Sequence, residues 1–232
     1  MLTDFSRTQN LLGKEAIDIL NKTSVTIFGL GGVGSYTAEA LARCSVGRFI
    51  LIDSDVVAPS NINRQIIALN STVGKYKTDI MKERILDINK DAVVDTYNMF
   101  YLPNNDNTDV LFRSDYIIDA IDTISAKIDI VKKANKKNIP IISAMGAGNK
   151  LNPLLFEVSD IYKTSVCPLC RVMRKELKKQ AVPELKVVYS KEKPVLEHNL
   201  SSEHTPASIS FVPSVMGLII ASEVIKDILK IK

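Results

Sequence analysis

The stretch Ser24-Val-Thr-Ile-Phe-Gly-Leu-Gly-Gly-Val-Gly34 decides the fold of this chain. An apolar run of strand length ends in a glycine-rich loop, and a segment of helical period, Val33 to Cys44, follows at once. This order is typical of a unit in which backbone N–H groups at a helix N-terminus bind phosphate, and a side chain in the loop would collide with the ligand. The predicted phosphate-binding positions are Gly29, Gly31, Gly32 and Gly34.

Strand-length apolar runs alternate with helical segments beyond this loop. The strands are rich in Ile and Val without polar alternation, which indicates that both of their faces are buried, as in a parallel sheet between helices. The sequence therefore predicts an α/β fold with a doubly wound, mostly parallel, Rossmann-like sheet. The further predicted strands are Arg48 to Asp53, Ala92 to Tyr97, Tyr116 to Ala120 and Ile139 to Met145, and the further helices are Gly13 to Lys22, Lys75 to Ile88 and Ser125 to Lys136.

The pattern changes after about residue 147, where a turn-rich segment is followed by a basic helix, a polar loop and an apolar helix over Val215 to Ile231. With 232 residues, of which 46% are hydrophobic, the chain can bury one full core. We expect a single domain over 1–232, with a nucleotide-binding core over 1–147 and an extension over 148–232. The final helix is expected to pack onto the sheet or a second subunit through Val215, Leu218, Ile219, Ser222, Ile225, Ile228 and Leu229.

Several compartments and protein classes are disfavoured by composition. The first seven residues contain no basic region followed by an apolar stretch, which argues against a signal peptide and favours the cytoplasm. The longest uncharged run, Thr205 to Ser222, contains Pro206 and Pro213, so a buried or dimer-forming helix fits it better than a membrane span. Three cysteines in a chain without an export signal argue against a disulfide framework.

Charged side chains after the second and later strands indicate the ligand. Asp53 ends the second strand, where a carboxylate can accept hydrogen bonds from ribose hydroxyls, so an adenine nucleotide is favoured over a simple tight turn. Asn61, Arg64 and Lys77 follow and could hold a triphosphate, whereas NAD would have no use for so much positive charge. Asp122 follows a further strand, where a carboxylate can hold Mg²⁺.

Taken together, these motifs resemble the adenylating domain of ubiquitin-activating-enzyme-like proteins, which make acyl adenylates from ATP and a carboxylate. The matching motifs are Gly-x-Gly-Gly-x-Gly, Asp-x-Asp at Asp53 and Asp55, Ser-Asn-x-x-Arg-Gln at 60–65 and Val-Gly-x-x-Lys at 73–77. Within that superfamily, the segments 61–69, 143–148 and 160–164 and the basic helix are most similar to the tRNA threonylcarbamoyladenosine dehydratase family. The resemblance covers nearly the whole chain.

The resemblance implies ATP-dependent cyclisation of threonylcarbamoyladenosine in tRNA, through adenylation of the threonyl carboxylate and release of AMP. The implied cofactors are ATP and Mg²⁺, and the implied partners are the modified tRNA and a second copy of the chain. Whether a sulfur-transfer protein also associates stays open. The implied catalytic residues are Arg64, Lys77, Asp122 as the Mg²⁺ ligand and Arg7, donated across a homodimer interface, and the implied nucleotide ligands are Gly29, Gly31, Gly32, Gly34, Asp53, Asp55, Asn61 and Gln65.

The basic excess of the chain lies in one segment, because residues 163–193 hold nine Lys and Arg against three Glu. Five of these cations recur at three- and four-residue spacing, so a helix would place them on one face. Near an ATP pocket, this basic stripe is expected to contact the phosphate backbone of tRNA, the alternative being a solvated helix face. Its members are Arg171, Arg174, Lys175, Lys178 and Lys179.

Two other functions stay open from the residues alone. One is an enzyme of the same fold that adenylates the C-terminal glycine of a small sulfur-carrier protein. Such relatives hold zinc with two Cys-x-x-Cys pairs, whereas here only Cys167 and Cys170 form one, so packed thiols are the favoured interpretation. The other is a nucleotide-sensing module without turnover, in which Arg64, Lys77 and Asp122 would have no role.

Overall fold

The computed structural model describes residues 4–106, 108–195 and 206–231. Over these residues the chain forms seven α-helices and seven β-strands. The strands are β1 (Ser24–Phe28), β2 (Arg48–Ile52), β3 (Val93–Tyr97), β4 (Tyr116–Asp119), β5 (Ile141–Ala144), β6 (Phe156–Asp160) and β7 (Lys186–Ser190). The helices are α1 (Ser6–Leu12), α2 (Lys14–Lys22), α3 (Gly34–Arg43), α4 (Lys77–Ile88), α5 (Ile124–Lys136), α6 (Pro168–Lys179) and α7 (Phe211–Leu229).

All seven strands form one sheet in the order β3-β2-β1-β4-β5-β7-β6, and every neighbouring pair is parallel except β6 and β7. The predicted α/β, doubly wound and mostly parallel fold is therefore confirmed. Phe28 pairs with both Ile52 and Asp119, so β1, β2 and β4 end at the same level. The strand order reverses between β1 and β4, where such sheets open a ligand crevice at their carboxyl ends.

Helices cover both faces of the sheet, and the strand side chains alternate between two apolar cores. In β2, Phe49 and Leu51 belong to one core, whereas Ile50 and Ile52 belong to the other. The first core lies against α3, α4 and α7, and the second lies against α5 and α6. This two-sided burial explains why the strands lack polar alternation.

The extension departs from its predicted organisation because it also supplies two strands of the same sheet. Its strand β7 lies between β5 and β6, and it pairs in parallel with β5. Sequence reasoning missed β7 because Lys186 to Ser190 is a short apolar run inside a basic segment. It also missed α1, a seven-residue helix with no buried residue.

The final helix packs within its own chain against α3 and the sheet, through a face that matches the predicted one in part. Its core-facing residues include Val212, Met216, Ile220 and Val224, whereas Leu218 of the predicted face is half exposed. Of the predicted residues, Ile219, Ile225, Ile228 and Leu229 do contact the core. The prediction was only partly right because apolar residues surround this helix on most sides, so their spacing does not single out one face. Gly217 decides the contact, since a Cβ there would lie 2.4 Å from the carbonyl oxygen of Val33.

A search of 4–106, 108–195 and 206–231 finds no helix with the length and apolar character needed to cross a membrane.

Candidate active site

A cavity of about 560 Å³ opens at the carboxyl ends of β1, β2, β4 and β5, within the range of small-molecule sites. It lies at the reversal of strand order, where the topology brings the loops after these strands together. Ten of the predicted nucleotide and catalytic residues line it. They are Gly29, Gly31, Gly32, Asp53, Asp55, Asn61, Arg64, Gln65, Lys77 and Asp122.

Two glycines of the loop after β1 are required by the backbone itself. Gly29 has a φ of +89°, and a Cβ there would lie 2.8 Å from the carbonyl oxygen of Ala120. A Cβ on Gly34 would lie 1.8 Å from the carbonyl oxygen of Gly29, so this glycine lets α3 pack tightly against the loop. Gly34 does not line the cavity, in contrast to the other three predicted glycines. Its place in the structure is a packing position.

Asp53 joins the end of β2 to the glycine loop. One carboxylate oxygen accepts a hydrogen bond from the Leu30 N–H at 2.7 Å, and the other accepts one from the Asp55 N–H at 2.9 Å. Carboxylate oxygens have further lone pairs, so Asp53 can also accept hydrogen bonds from hydroxyl groups in the cavity. The two backbone bonds hold the carboxylate in a fixed orientation.

Lys77 begins α4 and projects into the cavity between two carboxylates. Its Nζ lies 2.7 Å from Asp55 Oδ2 and 3.9 Å from Asp53 Oδ1, and the residue is only 4% exposed. Burial opposes ionisation of Asp55, but the hydrogen bond and positive charge of Lys77 outweigh that effect and lower the pKa of Asp55. The lysine is therefore held in place as a cation before any anionic ligand arrives.

Arg64, Asn61 and Gln65 lie on the turn that follows β2. Arg64 Nη1 donates to the Ser60 carbonyl at 2.8 Å and to Asn63 Oδ1 at 2.9 Å, which leaves its other nitrogens as donors for a ligand. The Asn61 side-chain oxygen accepts a hydrogen bond from the Ala58 N–H and thereby stabilises the turn.

Gln65 is buried beside the glycine loop. Within the described part of the chain, its side-chain oxygen has no hydrogen-bond partner. A buried oxygen without a partner is costly, so this position is suited to a donor from a ligand or from water.

Asp122 follows β4, which lies on the other side of β1 from the strand that ends before Asp53, and it is exposed. No group of three or more His, Cys, Asp or Glu side chains in the described residues could hold a metal ion. Mg²⁺ commonly binds through one or two carboxylates together with substrate phosphates and water. Asp122 is therefore suited to hold Mg²⁺ jointly with a nucleotide rather than as part of a protein cage.

Sequence reasoning missed a buried ion pair next to the loop that follows β4. Lys127 of α5 and Asp119 at the end of β4 are both fully buried, with Nζ 2.9 Å from Asp119 Oδ2. The same Nζ donates to the carbonyl oxygens of Ile121 and Ala144, and Ser143 Oγ donates to the Asp119 carboxylate. The available signal was a lysine between buried positions of a helix, directly after a strand that ends in Asp.

The cavity also has an apolar side that the motifs did not indicate. Its residues follow β3 and β5 or begin α6, and no charged or glycine pattern marks them in the sequence. They are Met99, Phe100, Tyr101, Met145 and Leu169. Such a surface can exclude water from a bound base or from a reacting carboxylate.

Some cations of the basic stripe of α6 are hydrogen-bonded or ion-paired within the chain, and the others extend into solvent. Arg174 donates to the Thr164 carbonyl at 3.0 Å, and Lys179 pairs with Glu176 at 2.8 Å. By contrast, Arg171, Lys175 and Lys178 are exposed, so they are the better candidates for contact with a polyanion. The buried face of the helix consists of Cys170, Met173 and Leu177.

Some of the remaining basic excess is neutralised locally. Lys186 lies 2.6 Å from Asp227, and Lys191 pairs with Glu157.

Cys167 and Cys170 are both buried at the start of α6. A hydrogen bond from the Cys170 thiol lowers the pKa of Cys167 to about 5, against the opposing effect of burial, and the backbone at Gly146 and Leu169 assists. The same hydrogen bond and burial raise the pKa of Cys170.

Arg7 lies exposed on α1 and does not line the cavity of its own chain. Its predicted role therefore needs a second subunit.

Comparison with known proteins agrees with this geometry. The ThiF family profile matches residues 5–232. The tRNA threonylcarbamoyladenosine dehydratase of Bacillus subtilis (strain 168) is 43% identical over 244 residues, covering 99% of this chain and 96% of that protein. The Escherichia coli (strain K12) protein of the same name is 37% identical over 174 residues, covering 75% of this chain and 65% of that protein.

Solved structures extend the match to the fold. Crystal structures of E. coli tRNA N6-threonylcarbamoyladenosine dehydratase in complex with AMP and with ATP each match with a TM-score of 0.89 at 31% identity. Each match covers 98% of this chain and 94% of that chain. The resemblance inferred from the motifs is confirmed, and the chain belongs to the ThiF family.

Proposed function

We propose that this protein is an ATP-dependent tRNA threonylcarbamoyladenosine dehydratase. The observation that carries the proposal is the convergence of the glycine loop, Asp53, Arg64 and Lys77 on one cavity. The chain is also 43% identical, over nearly its whole length, to a relative with that name. An E. coli relative of the same fold binds ATP and AMP, which supports ATP as the nucleotide.

The reaction has two steps in this proposal. The threonyl carboxylate attacks the α-phosphorus of ATP, pyrophosphate leaves and an acyl adenylate forms. The carbamoyl group then attacks the activated carbonyl carbon and loses a proton to solvent, and AMP leaves with one carboxylate oxygen, so the nucleoside loses the elements of water. The first step needs in-line positioning and charge stabilisation rather than a protein nucleophile.

The proposal assigns a role to each of the main polar residues of the cavity. The backbone of the glycine loop, with the side-chain amide nitrogens of Gln65 and Asn61 beside it, donates to the phosphates, and Asp53 accepts hydrogen bonds from the ribose hydroxyls. Asp55 holds the ammonium of Lys77 at 2.7 Å, so that Lys77 and Arg64 meet the charge that develops on phosphoryl oxygens. Asp122 would hold Mg²⁺, which neutralises phosphate charge when it is bound.

The polyanionic substrate explains the exposed cations of α6. This helix begins next to Leu169 in the cavity wall, so a nucleoside in the cavity would leave its flanking phosphates near the helix. Exposed lysine and arginine side chains contact a phosphate backbone with little sequence preference. A cytoplasmic location is proposed with this substrate, and a sulfur-transfer partner stays a prediction.

The decisive experiment combines the protein with ATP, Mg²⁺ and threonylcarbamoyl-modified tRNA. Mass spectrometry of the nucleosides should show loss of water that depends on ATP and is accompanied by AMP and pyrophosphate. Release of AMP and pyrophosphate without this mass change would contradict the proposal. Adenylation of the C-terminal glycine of a sulfur-carrier protein in parallel would support that alternative substrate instead.

We also propose a homodimer in which Arg7 completes the cavity of the partner subunit. The support is that Arg7 lies outside its own cavity and that α7 leaves Leu218 half exposed. Light scattering should give about twice the mass of one chain. Mixing Arg7→Ala chains with Lys77→Ala chains should then restore part of the activity, because hybrid dimers contain one intact site. A monomer, or a dimer without rescue, would contradict the shared site.

A further inference from the structure

Lys127 is the most deeply buried cation among the described residues that the proposed reaction does not use. Its side chain is fully buried, and the three N–H donors of its ammonium group face three acceptors on neighbouring residues. One acceptor is the Asp119 carboxylate at 2.9 Å, and the other two are the carbonyl oxygens of Ile121 at 3.0 Å and Ala144 at 2.9 Å.

These three acceptors come from two neighbouring strands and their loops. Asp119 ends β4, Ile121 lies in the loop after β4, and Ala144 ends β5. Ile121 and Ala144 both line the cavity, and each directly precedes another lining residue. Lys127 therefore links the two cavity walls that follow β4 and β5.

The arrangement is costly as a device for stability alone. Burying two charges loses more hydration than a well-packed apolar pair of similar volume would, so such pairs are weak evidence for stabilisation. Oδ1 of Asp119 is also buried without a partner in the described chain, which adds to the cost. The network instead holds the loops after β4 and β5 in a fixed geometry.

We propose that Lys127 is a positioning residue for the adenylation site: it fixes the loop after β4, with Asp122, against the wall after β5. This inference rests on the proposed function for the reaction that it serves. The carboxylate of Asp119 orients the ammonium group, and Ser143 orients the carboxylate in turn. The glycine loop and Asp53 receive no hydrogen bond from Lys127, so nucleotide binding there does not depend on it.

The test uses the double variant Asp119→Asn/Lys127→Met, because it removes both charges and leaves no unpaired buried ion. We expect a folded protein whose kcat for AMP release falls tenfold or more, while its Kd for ATP measured without Mg²⁺ changes less than threefold. Amide hydrogen exchange should accelerate in segments 120–123 and 144–148 but not in 28–34. Asp109→Asn/Lys137→Met is the matched control, since it makes the same two changes at an ion pair whose residues do not line the cavity.

The control should retain kcat within twofold. A folded double variant with kcat within twofold of the parent would overturn the proposal, as would exchange that accelerates equally in 28–34. If the double variant fails to fold, Asp119→Asn/Lys127→Gln replaces it, because its amide retains up to two donors. That variant should show the same exchange pattern and a kcat loss of threefold or more, and the absence of both effects would overturn the proposal.

If the parent protein releases no AMP with modified tRNA, the proposed function is wrong. The exchange pattern then decides the positioning role by itself.

Discussion

The cations of the cavity and the cations of α6 differ in what surrounds them. Lys77 is 4% exposed and lies 2.7 Å from Asp55, whereas Arg171, Lys175 and Lys178 extend into solvent. A charge in a site from which water is excluded acts strongly on a nearby charge, while a charge in water is screened by salt over about 8–10 Å. In the proposed function, equal formal charges therefore serve different purposes: we expect the cavity group to act on the rate of reaction and the α6 group to act on salt-dependent affinity.

The largest effect should come from removing a cavity cation. We expect Lys77→Ala and Arg64→Ala each to lower kcat about a hundredfold or more, which is typical for loss of a group that stabilises transition-state charge. Folding should persist in Lys77→Ala, because the Asp55 side chain is 61% exposed and water can solvate its charge. Steady-state kinetics and circular dichroism measure both. Near-normal turnover in either folded variant would remove the distinction between the two groups.

Asp53→Ala should have the next largest effect, and it should act on binding. Loss of hydrogen bonds from ribose hydroxyls to a charged group should weaken Mg-ATP binding by about 1.5–3 kcal/mol. The loss of the Leu30 contact also loosens the glycine loop and acts in the same direction. Isothermal titration calorimetry measures the dissociation constant. An unchanged value would exclude Asp53 from the nucleotide site.

The exposed cations of α6 should make the affinity for tRNA depend on the salt concentration. Replacing Arg171, Lys175 and Lys178 with Ala should flatten the log–log dependence of tRNA affinity on salt by roughly two to three units, at about 0.7–0.9 per phosphate contact. Mg-ATP affinity should stay the same. Lys14→Ala/Lys22→Ala on α2 is a charge control far from α6 in the sequence, and it should leave the slope nearly unchanged. An equal slope in the triple variant and the parent would indicate a solvated helix face.

Arg174 gives the smallest expected effect on RNA binding and sharpens the comparison within α6. Its guanidinium is engaged by Thr164, so Arg174→Ala should lower the free energy of unfolding by about 1.5–3 kcal/mol, as expected for loss of a hydrogen bond from a charged group. The salt slope should change by less than one unit. Thermal unfolding and filter binding measure the two quantities. If Arg174→Ala changes the salt slope of tRNA affinity by a full unit and leaves the stability unaltered, Arg174 contacts RNA.

The sequence predicted the parts of the fold in which local pattern and burial coincide. β1 and β2 were placed within a residue or two, because continuous apolar runs there end in glycine or aspartate. The cavity residues could be predicted for a similar reason, since parallel strands deliver their carboxyl ends to one edge of the sheet. The predicted roles of these residues stay proposals.

Long-range packing set the limit of prediction. The spacing of Arg174 on α6 gives no sign that Thr164 engages it, and the position of Lys127 on α5 gives none that Asp119 pairs with it. Asp119 ends β4, and Thr164 lies in the connection between β6 and α6, so each partner comes from another element of the fold. The face of α7 was predicted only in part, because apolar residues surround that helix and a close approach at Gly217 selects the side that packs.

The contact between α3 and α7 has a consequence for the order in which the protein can fold. Thr37, just after the glycine loop, donates to the carbonyl of Gly217, 180 residues later in the chain. On the ribosome, the proposed nucleotide-binding half therefore emerges long before α7, the helix that covers it. In addition, one edge of β5 stays unpaired until β7 has been synthesised. Such an exposed edge invites pairing with other chains. A nascent chain paused before residue 186 should therefore depend on chaperones, even though every proposed nucleotide ligand has already been synthesised.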